Sequence, residues 1–187
     1  MEMKYKLVAF DMDGTLLKGE GCWVRLHRHF GTLHIGDRNL RAYETGRMDY
    51  EEFMRRDISA WLSSSPKIHI SQIERVLSDF QLDEDAQFVI SKMLERGYIT
   101  AIITSGIDIL AERVAKELRI NFVRANGLAV DKDGYLDGNG ILGVDPREKD
   151  KVLKKLSNSL SLSPEEVVAI GDSKYDILAG RAAGART

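Results

Sequence analysis

A three-layer α/β fold is what this sequence predicts: helices on both faces of a parallel sheet, with a helical segment inserted after the first strand. Three observations point there. Short apolar runs, Leu7–Phe10, Tyr98–Ile103 and Val167–Ile170, read as strands buried on both faces, and amphipathic helices separate them. Each run stops abruptly at polar residues. Between the first and second runs, from Glu20 to about Leu82, only helical signals occur.

Taken in order, the first run ends in Asp11-Met12-Asp13-Gly14-Thr15. Trp23, Leu26 and Phe30 then recur at helical spacing, and Gly31 closes that helix. Asp37–Tyr43 is a second helical stretch, ended by Gly46. Asp49 with Glu52 forms a capping-box pattern opening a third, whose apolar face carries Tyr50, Phe53, Met54, Ile58 and Trp61. Ser71 with Glu74 is another such start. Asp83–Arg96 is a helix of good formers ending at Gly97. After the second buried strand come Thr104-Ser105-Gly106 and an amphipathic helix through Leu118. Asn121–Ala125 reads as a short strand, and Leu128–Leu136 as a hairpin turning at Asp133-Gly134. Asp145-Pro146-Arg147-Glu148 opens a helix running to about Leu156. Ser163-Pro164-Glu165-Glu166 starts one more helical turn. The third buried strand ends in Gly171-Asp172, and Tyr175–Ala182 is the last helix. The expected division is residues 1–18 and 83–187 as a Rossmann-like core, with 19–82 as a small helical cap.

Composition narrows the function classes. The 187 residues are 43% hydrophobic and 30% charged, with a net charge of −2, which suits a globular domain and lacks the basic footprint of a nucleic-acid binder. One cysteine, Cys22, excludes an intramolecular disulfide and a cysteine zinc cluster. No apolar run reaches the ~20 residues of a membrane span. Met1-Glu2-Met3-Lys4 lacks the shape of a signal peptide, so a cytoplasmic location is expected.

Acids at the end of a buried strand are costly unless a cation or strong donors offset them. Asp11 and Asp13 therefore predict a catalytic or metal site, and strand tips in open parallel sheets are where ligands bind. Thr104/Ser105 and Asp172 end the other two buried strands. Lys149 shares a helical face with Val152, Leu153 and Leu156, so it points inward from a first turn whose dipole disfavours a cation; an anion to neutralise explains it. Asp172 and Asp176 are four apart and share a face if the last helix starts just after Gly171. So many carboxylates call for a divalent, oxygen-seeking cation such as Mg²⁺, which usually accompanies a phosphate. Thr104, the N–H groups of Ser105 and Gly106, and the following helix N-terminus form the expected phosphate cradle. The four histidines, His27, His29, His34 and His69, lack metal-ligand spacing and read as surface or cap residues. Gly138–Gly143 follows a hairpin rather than opening a helix, so it is no phosphate loop.

Asp11-Met12-Asp13-Gly14-Thr15, the apolar strand ending in Thr104, Lys149, and Gly171-Asp172 with Asp176 together resemble the four motifs of the haloacid dehalogenase superfamily, in order across the chain. The Ile103–Ile109 segment, the Ala125-Asn126-Gly127-Leu128 hairpin and the helical insert are most similar to its phosphoserine phosphatase branch. The resemblance implies an Mg²⁺-dependent phosphomonoester hydrolase acting on a small phosphorylated metabolite, with no nucleic-acid or membrane partner. Asp11 would be the nucleophile forming an aspartyl-phosphate, and Asp13 the proton carrier. The metal would be held by Asp11, the Asp13 backbone carbonyl and Asp172, with Asp176 ligating or orienting. Thr104 and Lys149, with Ser105 and Gly106, would hold the phosphoryl oxygens. In the cap, Glu20 and Tyr50 are candidate substrate contacts. Asp57 stands where that branch places an arginine, and an inward carboxylate would repel a substrate carboxylate such as that of O-phosphoserine. Tyr175 replaces an asparagine often present before the last acid. Alternatives are a phosphotransferase or phosphomutase of the same superfamily, or a receiver-like or non-catalytic phosphate-binding protein; the acid at Asp13 and the helical insert weigh against a receiver.

Overall fold

The three apolar runs pair in parallel as expected, but the third is not buried on both faces: Val167–Ile170 forms the sheet edge, with Val167 buried and Ile170 exposed. In the computed structural model, which describes residues 4–187, β1 (Leu7–Phe10) lies at the heart of a five-stranded sheet. The first three residues, part of the expected signal-free N-terminus, lie outside the described residues. β1 pairs in parallel with β4 (Ile99–Ile107) on one side and with β7 (Val167–Ile170) on the other. β5 (Phe122–Val130) extends the sheet in parallel beside β4, and β6 (Leu136–Ile141) closes it antiparallel.

Alternation along β1 divides the core. Val8 and Phe10 pack with Ile102 against α5 (Ala86–Glu95) and α6 (Asp108–Leu118). Leu7 and Ala9 face the opposite side, with Ala101, Ile103, and Leu153 and Leu156 of α7 (Lys149–Ser159). α8 (Lys174–Ala182) lies against α7 and β7. That is a helix–sheet–helix sandwich, with every β1 side chain buried.

The helical segment comprises α1 (Cys22–His29), α2 (Leu33–Glu44), α3 (Tyr50–Ser64) and α4 (Ile70–Val76). Asp49 caps α3 by accepting the Glu52 N–H at 2.8 Å, as its sequence pattern predicts. Two details differ from expectation. α4 is capped by His69, whose ring accepts the Ser71 N–H, so the helix begins one residue before Ser71. A two-residue antiparallel pair, β2 (Leu17–Lys18) with β3 (Gln81–Leu82), also closes the neck where the chain leaves and rejoins the core. No described helix is long and apolar enough to cross a membrane.

Candidate active site

The loop after β1 is a tight turn: the Met12 carbonyl accepts N–H groups from Thr15, Leu16 and Leu17. The Asp11 N–H donates to the Ile170 carbonyl at 2.9 Å, tying this loop to the tip of β7. Gly14 takes a φ of +82°, and a Cβ there would collide with the Asp172 carboxylate. A Cβ on Gly171 would likewise collide with Asp176. Glycine at both places lets the two acidic tips approach.

Carboxylate oxygens of Asp11, Asp172 and Asp176 lie within 4.8 Å of one another. Lys149, at the start of α7, donates to Asp11 Oδ1 at 2.9 Å and Asp176 Oδ1 at 2.6 Å, and its side chain is 6% exposed. Three carboxylates against one ammonium leave roughly two negative charges uncompensated, and hard oxygen donors in that number suit a divalent cation. Burial lifts the Asp11 carboxyl above its ordinary range despite the pull of Lys149. For Lys149, burial disfavours the charge, but Asp11 and Asp176 outweigh it and the ammonium is held more firmly than usual. Asp13 points elsewhere. Its Oδ2 accepts the Cys22 N–H at 3.1 Å, and burial lifts its carboxyl too, against that hydrogen bond.

Asp172 does not share a helical face with Asp176. α8 starts at Lys174, with Ser173 as N-cap in a capping box with Asp176, so Asp172 projects from the loop before the helix. Asp176 keeps one oxygen on Lys149 and the other on the Ser173 N–H and hydroxyl. The i, i+4 spacing therefore does not put the two acids on one helical face; the capping box brings their carboxylates together instead.

The anion cradle also differs from expectation. The chain stays extended through Ile107, and the Gly106 N–H donates to Thr104 Oγ1 at 3.0 Å. Thr104 is buried, and of the three cradle residues only Ser105 lines the cavity at the strand tips. The Ser105 carbonyl accepts three donors: Trp23 Nε1 at 3.1 Å, the Tyr50 hydroxyl at 3.0 Å and Asn126 Nδ2 at 2.9 Å. Asn126, fully buried, also accepts the Gly143 and Val144 N–H groups at 2.8 Å through its other amide atom. Its position inside an apolar stretch was the available signal for that bracing role.

This cavity, about 330 Å³, joins the acidic cluster to the helical segment. Asp11, Asp13, Lys149 and Asp172 line one end; Trp23, Tyr43, Tyr50, Phe53 and Asp57 line the other. Burial pushes the Tyr50 hydroxyl well up. Asp57 is 1% exposed, accepts Asn39 Nδ2 at 2.7 Å, and lies 3.1 Å from His27 Nε2. His27, expected at a surface or generic cap position, is buried in the cavity wall. Its place four residues after Trp23 was the clue. Tyr175 also lines the cavity. Glu20 does not reach it: its carboxylate turns to the Arg28 guanidinium on the surface and is 43% exposed. A strong exposed partner eight residues on outcompetes the pocket.

Residues 5–184 match the family model of the haloacid dehalogenase-like hydrolases. The chain is 30% identical to a phosphoserine phosphatase of Methanocaldococcus jannaschii, over 98% of this chain and 85% of that protein. It is 29% identical to one of Archaeoglobus fulgidus, over 96% of this chain and 51% of that longer protein. Among solved structures, a substrate-bound phosphoserine phosphatase complex superimposes with a TM-score of 0.79 at 26% identity, covering 98% of this chain and 84% of that one. A phospho-aspartyl intermediate analogue of phosphoserine phosphatase gives 0.78 at the same identity and coverage.

Proposed function

The chain belongs to the haloacid dehalogenase-like hydrolase family, and from that premise we propose that it is a phosphatase: an Mg²⁺-dependent phosphomonoester hydrolase acting on a small phosphorylated metabolite. The observation that carries the reading is the cluster of Asp11, Asp172 and Asp176 around the Lys149 ammonium at the strand tips. A phosphoryl group needs a nucleophile, charge compensation and a proton donor there, and each has a residue.

In the first step an Asp11 carboxylate oxygen attacks phosphorus. The bond from phosphorus to the ester oxygen breaks, and Asp13 gives its proton to the leaving alkoxide. In the second, Asp13 takes a proton from a water that attacks the phosphorus of the aspartyl-phosphate, releasing inorganic phosphate and restoring the Asp11 carboxylate. The orientation of Asp13, away from the acidic cluster and on the Cys22 N–H, suits a proton carrier rather than a metal ligand. Its burial, which favours the neutral acid, suits it further. Lys149 offsets charge on the phosphoryl oxygens and holds Asp11 in place; the Ser105 region frames the phosphate. Asp11, Asp172 and the Asp13 backbone carbonyl would hold Mg²⁺, with Asp176 ligating or orienting. When bound, the ion supplies charge neutralisation and alignment of the phosphoryl group. Residues 19–82 act as a cap choosing the substrate.

Purified protein with Mg²⁺ is expected to release phosphate from a panel of small phosphomonoesters and to stop on adding EDTA. Asp11→Asn is expected to lose at least about a thousandfold in kcat. Normal turnover by that variant would overturn the mechanism.

A further inference from the structure

The half of the cavity away from the acidic cluster offers a ligand carbon and little else. Trp23, Tyr43, Tyr50 and Phe53 line it as one continuous aromatic wall. Tyr50 lies 5.1 Å from both Tyr43 and Phe53 between ring centroids, and Trp23 lies 5.9 Å from Phe53. Each polar tip in that wall already donates to the protein. Trp23 Nε1 and the Tyr50 hydroxyl serve the Ser105 carbonyl, and the Tyr43 hydroxyl serves Asp145 Oδ1 at 2.6 Å. Asp57 is engaged inside the wall as well, with Oδ1 on Asn39 and Oδ2 against His27 Nε2. Leu33, Val24 and Leu40 continue the lining, and the last two are 40% and 45% exposed, so it stays apolar out to solvent. Among the described lining residues, Lys149 at the acidic end is the one lysine or arginine. Two neighbouring guanidiniums are turned elsewhere: Arg25 to the Val76 and Asp79 carbonyls, and Arg147 to the Tyr43 carbonyl. The other charge on this side is Asp37, an exposed carboxylate at the mouth.

A carboxylate entering this space gives up its hydration and meets no cation to replace it. A tail rich in hydroxyls meets donors that are already committed, so its own lone pairs go unpaired. An apolar tail loses nothing, and it releases water from carbon on both surfaces. Resting on the phosphatase reading, we infer that the substrate class is phosphomonoesters of uncharged alcohols with an apolar body about one ring in size. The phosphate sits at Asp11, and the carbon of the tail lies against Trp23, Tyr50 and Phe53. At about 330 Å³ the cavity admits a phosphate and such a tail.

Benzyl phosphate carries the expected tail. O-Phosphoserine and glycerol 3-phosphate replace it with a zwitterion and with hydroxyls, and phosphocholine carries a cation, the other group that ring faces attract. All four esters release an alkoxide. For the intact protein with Mg²⁺, kcat/KM is expected to be at least about tenfold higher for benzyl phosphate than for each of the others. Leu40→Ser, at an exposed position, is expected to lower the ratio of benzyl phosphate to O-phosphoserine by at least about threefold. A smaller margin over any of the three esters, or an unchanged ratio in the variant, overturns the assignment. Acetyl phosphate reports phosphoryl transfer with almost no tail, so inertness toward it and all four esters sinks the phosphatase reading instead. Calorimetric binding of the four esters to Asp11→Asn decides the tail preference even then: tighter benzyl phosphate supports it, and any other order refutes it.

Discussion

Replacing Lys149 with methionine tests whether the acidic cluster is built as charges in search of a cation. The ammonium bonds to Asp11 at 2.9 Å and Asp176 at 2.6 Å, and all three side chains are nearly buried. Methionine keeps the bulk and leaves three carboxylates within 4.8 Å unopposed. Removing one partner of a buried pair costs about 3–5 kcal/mol. In a chain of this length that is about 6–20 °C in Tm. The loss should depend on pH. Burial already raises the Asp11 carboxyl and Lys149 pulls it back, so the variant raises it further. A folded-state pKa above the unfolded one means the folded protein holds the extra proton, so stability falls as pH rises through that interval. The deficit against wild type should thus be smallest near about pH 4 and grow toward neutrality. Lys149 itself is raised, so its contribution in the wild type is complete below 10.5 and disappears as pH climbs through the raised value. The variant should lack that alkaline loss. Urea titrations in EDTA at several pH values measure all of this, and adding millimolar Mg²⁺ should rescue the variant more than the wild type. A deficit under about 1 kcal/mol at neutral pH, or one that shrinks as pH rises from 4 to 7, would refute the electrostatic reasoning.

Three further outcomes follow from the site. Gly14→Ala forces a left-handed backbone on a residue with a Cβ, costing about 1–2 kcal/mol. It also pushes that Cβ onto Asp172, so the Mg²⁺ concentration for half-maximal activity should rise by about tenfold or more. Glu20→Ala should change kcat/KM by less than about twofold, since its carboxylate serves an exposed pair with Arg28; a large KM effect would show that Glu20 swings into the cavity. Trp61→Phe removes the donor to His27 Nδ1 inside a buried network and should destabilise the fold by about 1–3 kcal/mol in denaturant titrations. A neutral result there would show that the Trp61–His27 bond adds nothing to the buried network.

The residues that were legible in the sequence are those whose placement follows from the chain next to them. Asp11 and Asp172 sit at the ends of the apolar runs that form β1 and β7, and Lys149 shares a face with Leu153 and Leu156, so local pattern carried the inference. What local pattern could not show depends on distant partners. The β2–β3 neck joins Leu17 to Leu82, and neither two-residue piece has a signal of its own. β5 continues through Asn126-Gly127 because the Asn126 side chain braces the Ser105 carbonyl and the 143–144 turn from within the strand. His27 escaped for the same reason: beside the nearby Thr32, its partners Asp57 and Trp61 both come from α3, which reaches it only in the fold. Spacing also proved a coarser guide than capping. It grouped Asp172 with Asp176, whose carboxylates do lie close, while missing that the helix starts only after its N-cap Ser173, which leaves Asp172 outside it.

The Ser105 carbonyl, with donors from Trp23 and Tyr50 on the helical segment and Asn126 on the sheet, works as a latch with a definable strength. The two donations from Trp23 and Tyr50 tie the helical segment to the strand tip, and at about 0.5–1.5 kcal/mol each they add about 1–3 kcal/mol to the apolar core that the two share. Tyr50→Phe removes one of the two donations, so it should speed indole proton exchange at Trp23 by about three- to tenfold; unchanged exchange would show that the two bonds do not act together.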